Sequence, residues 1–203
     1  MTCNIPTMLT WLRILLIPVF VCVFYLPTTP HTFGSAENMG AIPAHWVNFI
    51  ATSIFAIAAI TDWLDGYLAR RWNQTSAFGA FLDPVADKLM VAAALIVLVE
   101  FERVGAMVAL IIIGREIAIS ALREWMAGEG QSSSVGVAMI GKIKTVAQMV
   151  AILFLLYWDN FLILGNAIPT QIIGQVLIIL AAFLTLLSMA YYLKAALPKI
   201  KAK

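Results

Sequence analysis

Residues 61–88 read TDWLDGYLARRWNQTSAFGAFLDPVADK. The stretch leaves one apolar segment, crosses a polar break at Asn73, Gln74, Thr75 and Ser76, and enters another apolar segment. With 3.6 residues per helical turn, Asp62 and Asp65 share one helix face, and Asp83 and Asp87, four apart, share another. Gly79 lies one turn before Asp83, where the lack of a side chain permits close approach by a partner or ligand. The spacing therefore predicts two helices folded back on each other, with four carboxylates facing across the turn.

The chain around this stretch is too apolar for a soluble domain. Its 203 residues are 62% hydrophobic and 12% charged, with mean hydropathy +0.93, against roughly 45–50% and about 25% in soluble domains. A spanning helix needs roughly 20 mostly apolar residues, and six stretches qualify, near 7–26, 44–68, 80–100, 104–124, 143–161 and 170–193. The reading is an all-α, polytopic membrane protein of six transmembrane helices, forming a single membrane domain over residues 1–203. The run Met8 to Leu26 exceeds a signal-peptide core, and Pro27, Thr28, Thr29 and Pro30 make a poor cleavage site, so it reads as a retained first helix. Cys3 and Cys22 would lie about 28 Å apart on one helix. That is too far for a disulfide, and they read as small buried apolar side chains or an inert terminal thiol.

Charge orients the array. Connections at 27–43, 100–103 and 158–169 hold Glu37, Glu100, Glu102 and Asp159, with Arg103 as their base. The opposite side holds Arg13, Arg70, Arg71, Lys88, Arg123, Lys142, Lys144 and the C-terminal lysines. Positive residues mark the cytoplasmic side, so both termini and the carboxylates are expected to face the cytoplasm. The net charge of +2 makes no case for nucleic-acid binding. Trp11, Trp46, Trp125 and Trp158 fall near span ends, where aromatic belts sit.

An ionisable residue inside a spanning helix is costly and marks function by default. Four acids together repel and need compensation, which Arg70, Arg71, Lys88 and a divalent cation can supply. An oxygen-only donor set suits hard cations such as Mg²⁺ or Mn²⁺.

The pattern D-x2-D-G-x2-A-R, eight residues, then G-x3-D-x3-D is matched by Asp62, Asp65, Gly66, Ala69, Arg70, Gly79, Asp83 and Asp87. It resembles the signature of the CDP-alcohol phosphatidyltransferases. The blocks NIPTMLTWLRILLIP, GREIAISALREWMA and GKIKTVAQMVA resemble bacterial members of that family. The resemblance implies transfer of a phosphatidyl group from CDP-diacylglycerol to sn-glycerol 3-phosphate, release of CMP, two bound metal ions and a homodimer. It also implies that Asp62, Asp65, Asp83 and Asp87 are metal ligands, with Asp87 as general base. Gly66, Ala69 and Gly79 would leave room for the nucleotide, Asp62 would also contact the CDP-lipid, and Arg70 would contact the pyrophosphate. Arg71 reads as a positive-inside anchor.

A phosphorylated acceptor calls for a second basic pocket. Arg115 and Arg123 are eight apart on one helix face, and Lys142 and Lys144 return at the same membrane side. These four are the expected acceptor-phosphate ligands, since a guanidinium can grip phosphate with two hydrogen bonds. The competing readings are an interface anchor for Lys142 and Lys144, and pairing with Glu124 or a lipid headgroup for Arg123. Glu116 is either a partner for one of these bases or a packing residue. Two alternatives stand beside the main reading: another acceptor (inositol phosphate, phosphatidylglycerol or serine), or a divalent-cation transporter. Transport lacks the broken-helix repeats and midplane polar residues that it would need.

Overall fold

A computed structural model of the chain describes residues 5–26, 28–29, 42–72, 77–128, 139–163 and 166–201. The break at 73–76, most of the 27–43 loop and residues 129–138 lie outside the described residues. So do the side chains of Asp65, Ala69, Arg70, Arg123 and Lys142, and nothing further is described of Gly66.

The protein is all-α. Among the described residues six long helices follow in order: α1 Ile5–Phe24, α2 Ala44–Trp72, α3 Ala77–Glu100, α4 Ala106–Gly128, α5 Met139–Tyr157 and α6 Thr170–Lys201. Each coincides with one of the six apolar stretches, because an apolar run must satisfy its backbone internally and a helix does so within one segment. Two short pairings decorate the connections: Thr28–Thr29 with Ile42–Pro43, parallel, and Phe161–Ile163 with Asn166–Ile168, antiparallel. Among the described residues, Ala44–Asp62 and Thr170–Tyr191 are long and apolar enough to cross a membrane by length and composition. The runs in α3 and α4 are interrupted by Asp83, Asp87 and Lys88 and by Arg115 and Glu116.

The principal helix packings close a ring, α1 on α2, α2 on α5, α5 on α6, α6 on α4, α4 on α3 and α3 on α1. At one end of the ring the interior is apolar, built from Phe20, Phe24, Phe55, Leu95, Leu98 and Leu155. At the other end Thr10, Arg13, Arg115, Lys144, Gln148 and Ser188 are buried. The outer surface is apolar as well. On α6, Ile172, Val176 and Ile179 are each 60% exposed and recur at helical spacing with Phe183. Such a stripe suits lipid, since soluble monomers rarely expose large contiguous apolar patches.

Arg103 closes the apolar end. Arg103, in the turn between α3 and α4, donates from Nη1 to the Leu155 and Leu156 carbonyls at 3.0 and 2.8 Å, which lack partners at the end of α5. Its Nη2 donates to Asn48 Oδ1 at 2.6 Å, and Asn48 donates to Asp159 at 3.2 Å. The guanidinium also lies 5.1 Å from the Trp158 ring centroid and 5.7 Å from that of Phe24. Burial lowers the Arg103 pKa to about 10, with Asp159 opposing the shift, so the group stays charged at neutral pH. Glu102 and Trp158, at φ 56° and 58°, occupy the left-handed positions that glycine usually takes after a helix. The turn at Trp158 ends α5 four residues before the expected boundary at 161.

One expectation is corrected: Cys22 is exposed on α1 rather than buried. Arg13, counted among the positive-inside charges, is 1% exposed inside the ring.

Where α5 meets α6 the helices approach closely at Gly174. A Cβ there would sit 2.7 Å from Leu155 Cγ and 3.2 Å from the Leu155 backbone nitrogen, and Leu155 is fully buried. Gly174→Ala is expected to destabilise the fold by about 1–3 kcal/mol through overpacking, read as a lower melting temperature in detergent. Unchanged melting would show that the α5–α6 contact can open without cost.

Candidate active site

The carboxylates lie at the polar end of the ring. Asp62 is on α2, while Asp83 and Asp87 are on α3, and all three are partly exposed. Pro84 follows Asp83 inside α3, where it removes one backbone N–H and leaves the carbonyl four residues back without its usual helical donor. Gly79, one turn earlier, is buried.

Helix α1 reaches into this group. Arg13 Nη1 lies 2.6 Å from Asp62 Oδ1, and Thr10 Oγ1 donates to Asp83 Oδ1. Asp87 lies within the electrostatic reach of Asp62, Arg13, Glu116 and Lys88. It shares the lining of a cavity of about 10 Å³ with Arg13, Phe55 and Met149, too small to hold more than about one water.

A basic cluster adjoins the acids. Arg115, 7% exposed, donates from Nη2 to Ser188 Oγ on α6 at 2.9 Å, and its Nη1 lies 3.3 Å from Glu116 Oε1. Lys144, 2% exposed on α5, pairs with the same Glu116 oxygen. Glu116 thus partners two bases from two helices, which resolves the open choice for that residue. Lys144 is an interior group and no interface anchor. Buried charges persist only when paired and hydrogen-bonded, and Glu116 supplies the pairing.

Among the described residues, no group of three or more His, Cys, Asp or Glu side chains closes into a metal-holding cluster. The described carboxylates are nonetheless hard oxygen donors, with a cation and a hydroxyl already bonded to two of them. That donor chemistry fits a divalent ion such as Mg²⁺ or Mn²⁺.

Motif spacing did not reveal Thr10, Arg13, Glu116 and Ser188. For Arg13 a signal existed: it is the one charge within the apolar run 8–26, and an ionisable residue inside a span points to a site. Thr10 and Ser188 carried none, because a small hydroxyl in an apolar helix ordinarily bonds its own backbone.

The CDP-alcohol phosphatidyltransferase family model matches residues 3–193. Over 195 residues the chain is 50% identical to the CDP-diacylglycerol–glycerol-3-phosphate 3-phosphatidyltransferase of Shigella flexneri serotype 5b (strain 8401), covering 95% of this chain and 94% of that one. The enzyme of the same name from Escherichia coli (strain K12) matches with the same identity and coverage. With its signature residues present and the match running nearly end to end, the chain belongs to the CDP-alcohol phosphatidyltransferase family.

Proposed function

We propose that this chain transfers the phosphatidyl group of CDP-diacylglycerol to sn-glycerol 3-phosphate, giving phosphatidylglycerol phosphate and CMP. The observation that carries this reading is the 50% identity, along 95% of the chain, to enzymes named for that reaction. The buried bases beside the carboxylates support a phosphorylated acceptor. The protein is a homodimer in the bacterial inner membrane, with six spans and with both termini and the site on the cytoplasmic side. Support for the orientation comes from the basic residues gathered at the polar end of the ring.

Asp62, Asp65, Asp83 and Asp87 would hold two divalent ions, Mg²⁺ or Mn²⁺. When bound, such ions polarise the attacked phosphoryl group and offset the charge of the departing nucleotide. Arg70 contacts the pyrophosphate of the donor, and Gly66, Ala69 and Gly79 leave room for its nucleotide. Arg115, Arg123, Lys142 and Lys144 hold the phosphate of the acceptor. Glu116 holds Arg115 and Lys144 close together in the absence of that phosphate. Asp87 takes the proton of the acceptor hydroxyl as its oxygen bonds to the phosphatidyl phosphorus. The bond from that phosphorus to the CMP oxygen breaks, and its electron pair leaves with CMP. The acyl chains stay in the bilayer throughout, because the carboxylates open at its inner interface.

The test gives purified protein CDP-diacylglycerol, Mg²⁺ and one acceptor at a time, and measures CMP. Release with glycerol 3-phosphate is the expected result. Release with inositol phosphate, phosphatidylglycerol or serine instead would sink the acceptor assignment. No release with any of them would favour divalent-cation transport.

A further inference from the structure

Neither Thr10 nor Arg13 belongs to the eight-residue signature, yet both are buried, at 0% and 1% exposure. They lie three apart on α1 and so on one face of that helix. Thr10 Oγ1 bonds Asp83 Oδ1 on α3, and Arg13 Nη1 lies 2.6 Å from Asp62 Oδ1 on α2. One face of one helix thus touches the acids of two others. A carboxylate has about four lone-pair positions on two oxygens. A partner held at Oδ1 restrains the rotation of the group, and the remaining lone pairs can serve a cation.

Packing alone does not account for this pair. The far half of α1 packs through Phe20 and Phe24, and apolar side chains would serve equally at its near half. A buried guanidinium carries a desolvation penalty of several kcal/mol unless well paired, and here the pairing partner is a carboxylate of the signature. Arg13 also offsets the mutual repulsion of the acids, since its field reaches Asp87 as well.

We propose that Thr10 and Arg13 are positioning residues for the metal centre, with α1 acting as a brace that orients Asp62 and Asp83 toward a shared ion. The inference rests on the reading of those carboxylates as metal ligands. Groups that orient metal ligands typically contribute about 10–100-fold in metal affinity.

The experiment measures Mn²⁺ binding by electron paramagnetic resonance on the full-length, detergent-solubilised protein without either substrate. Thr10→Val keeps the side-chain shape and deletes the hydroxyl. It is expected to weaken Mn²⁺ binding about tenfold or more, while Thr10→Ser restores it and the melting temperature of the metal-free protein stays close to wild type. Arg13→Lys keeps the charge but loses the planar fork, and it is expected to weaken binding as well. It carries the test if Thr10→Val does not fold. Wild-type Mn²⁺ affinity in both folded variants, or in Arg13→Lys alone where Thr10→Val does not fold, overturns the brace. No Mn²⁺ binding by the wild type overturns the metal reading itself, before any variant is compared.

Discussion

Replacing Asp87 by Asn is expected to lower CMP release by about 10²–10⁴-fold, the usual contribution of a positioned general base. The substitution preserves shape and removes only the ability to accept a proton and to carry a negative charge. The fold should tolerate it. Asp87 shares its surroundings with Asp62 and Glu116 as well as with Arg13 and Lys88, so deleting one negative charge relieves repulsion among the acids. The variant should therefore keep its melting temperature and still bind CDP-diacylglycerol. Mn²⁺ stoichiometry measured on the same variant separates loss of a ligand from loss of the base. Activity near that of the wild type would move the proton to another acceptor.

The second large effect is expected at Arg115. Arg115→Met should raise the KM for glycerol 3-phosphate about 100-fold, roughly 2.7 kcal/mol, as for truncating one member of a buried charge pair. The KM for CDP-diacylglycerol should be unchanged. The guanidinium is buried and held between Ser188 and Glu116, so its two donor directions are set before any phosphate arrives. Arg115→Lys should fall between the two, because an ammonium keeps the charge but not the fork. Equal increases in both KM values would make Arg115 a structural residue of the α4–α6 contact.

The helices were readable from the chain because their signal is local and repeated. Six apolar runs of spanning length define six helices, and α1 through α6 follow them closely. The differences fall at the ends, where apolarity has no say. Helix α5 stops at Tyr157 because Trp158 turns left-handed and Arg103 takes the last carbonyls. Nothing at 158 resembles the glycine that usually signals such a stop. The helices that carry the aspartates were equally readable, with Asp62 and Asp65 on α2 and Asp83 and Asp87 on α3.

The surroundings of those acids were not readable. Arg13 looked like a positive-inside charge, and Glu116 had two open roles. Their partners come from other helices: Thr10 and Asp83 are 73 residues apart, as are Arg115 and Ser188, and Lys144 and Glu116 are 28 apart. No local period connects such positions.

By itself, then, the sequence determined the all-α architecture and the signature that places the chain in its family. It also determined the helix faces that carry the acids. All of these depend on the helical repeat and on the cost of putting polar groups among apolar ones. Only the tertiary structure decided that α1 supplies Arg13 and Thr10 to Asp62 and Asp83. It alone showed that Glu116 joins two buried bases and that Arg103 ties off the opposite end. Those outcomes depend on which helices become neighbours in the closed ring, and that is settled by packing of the whole chain.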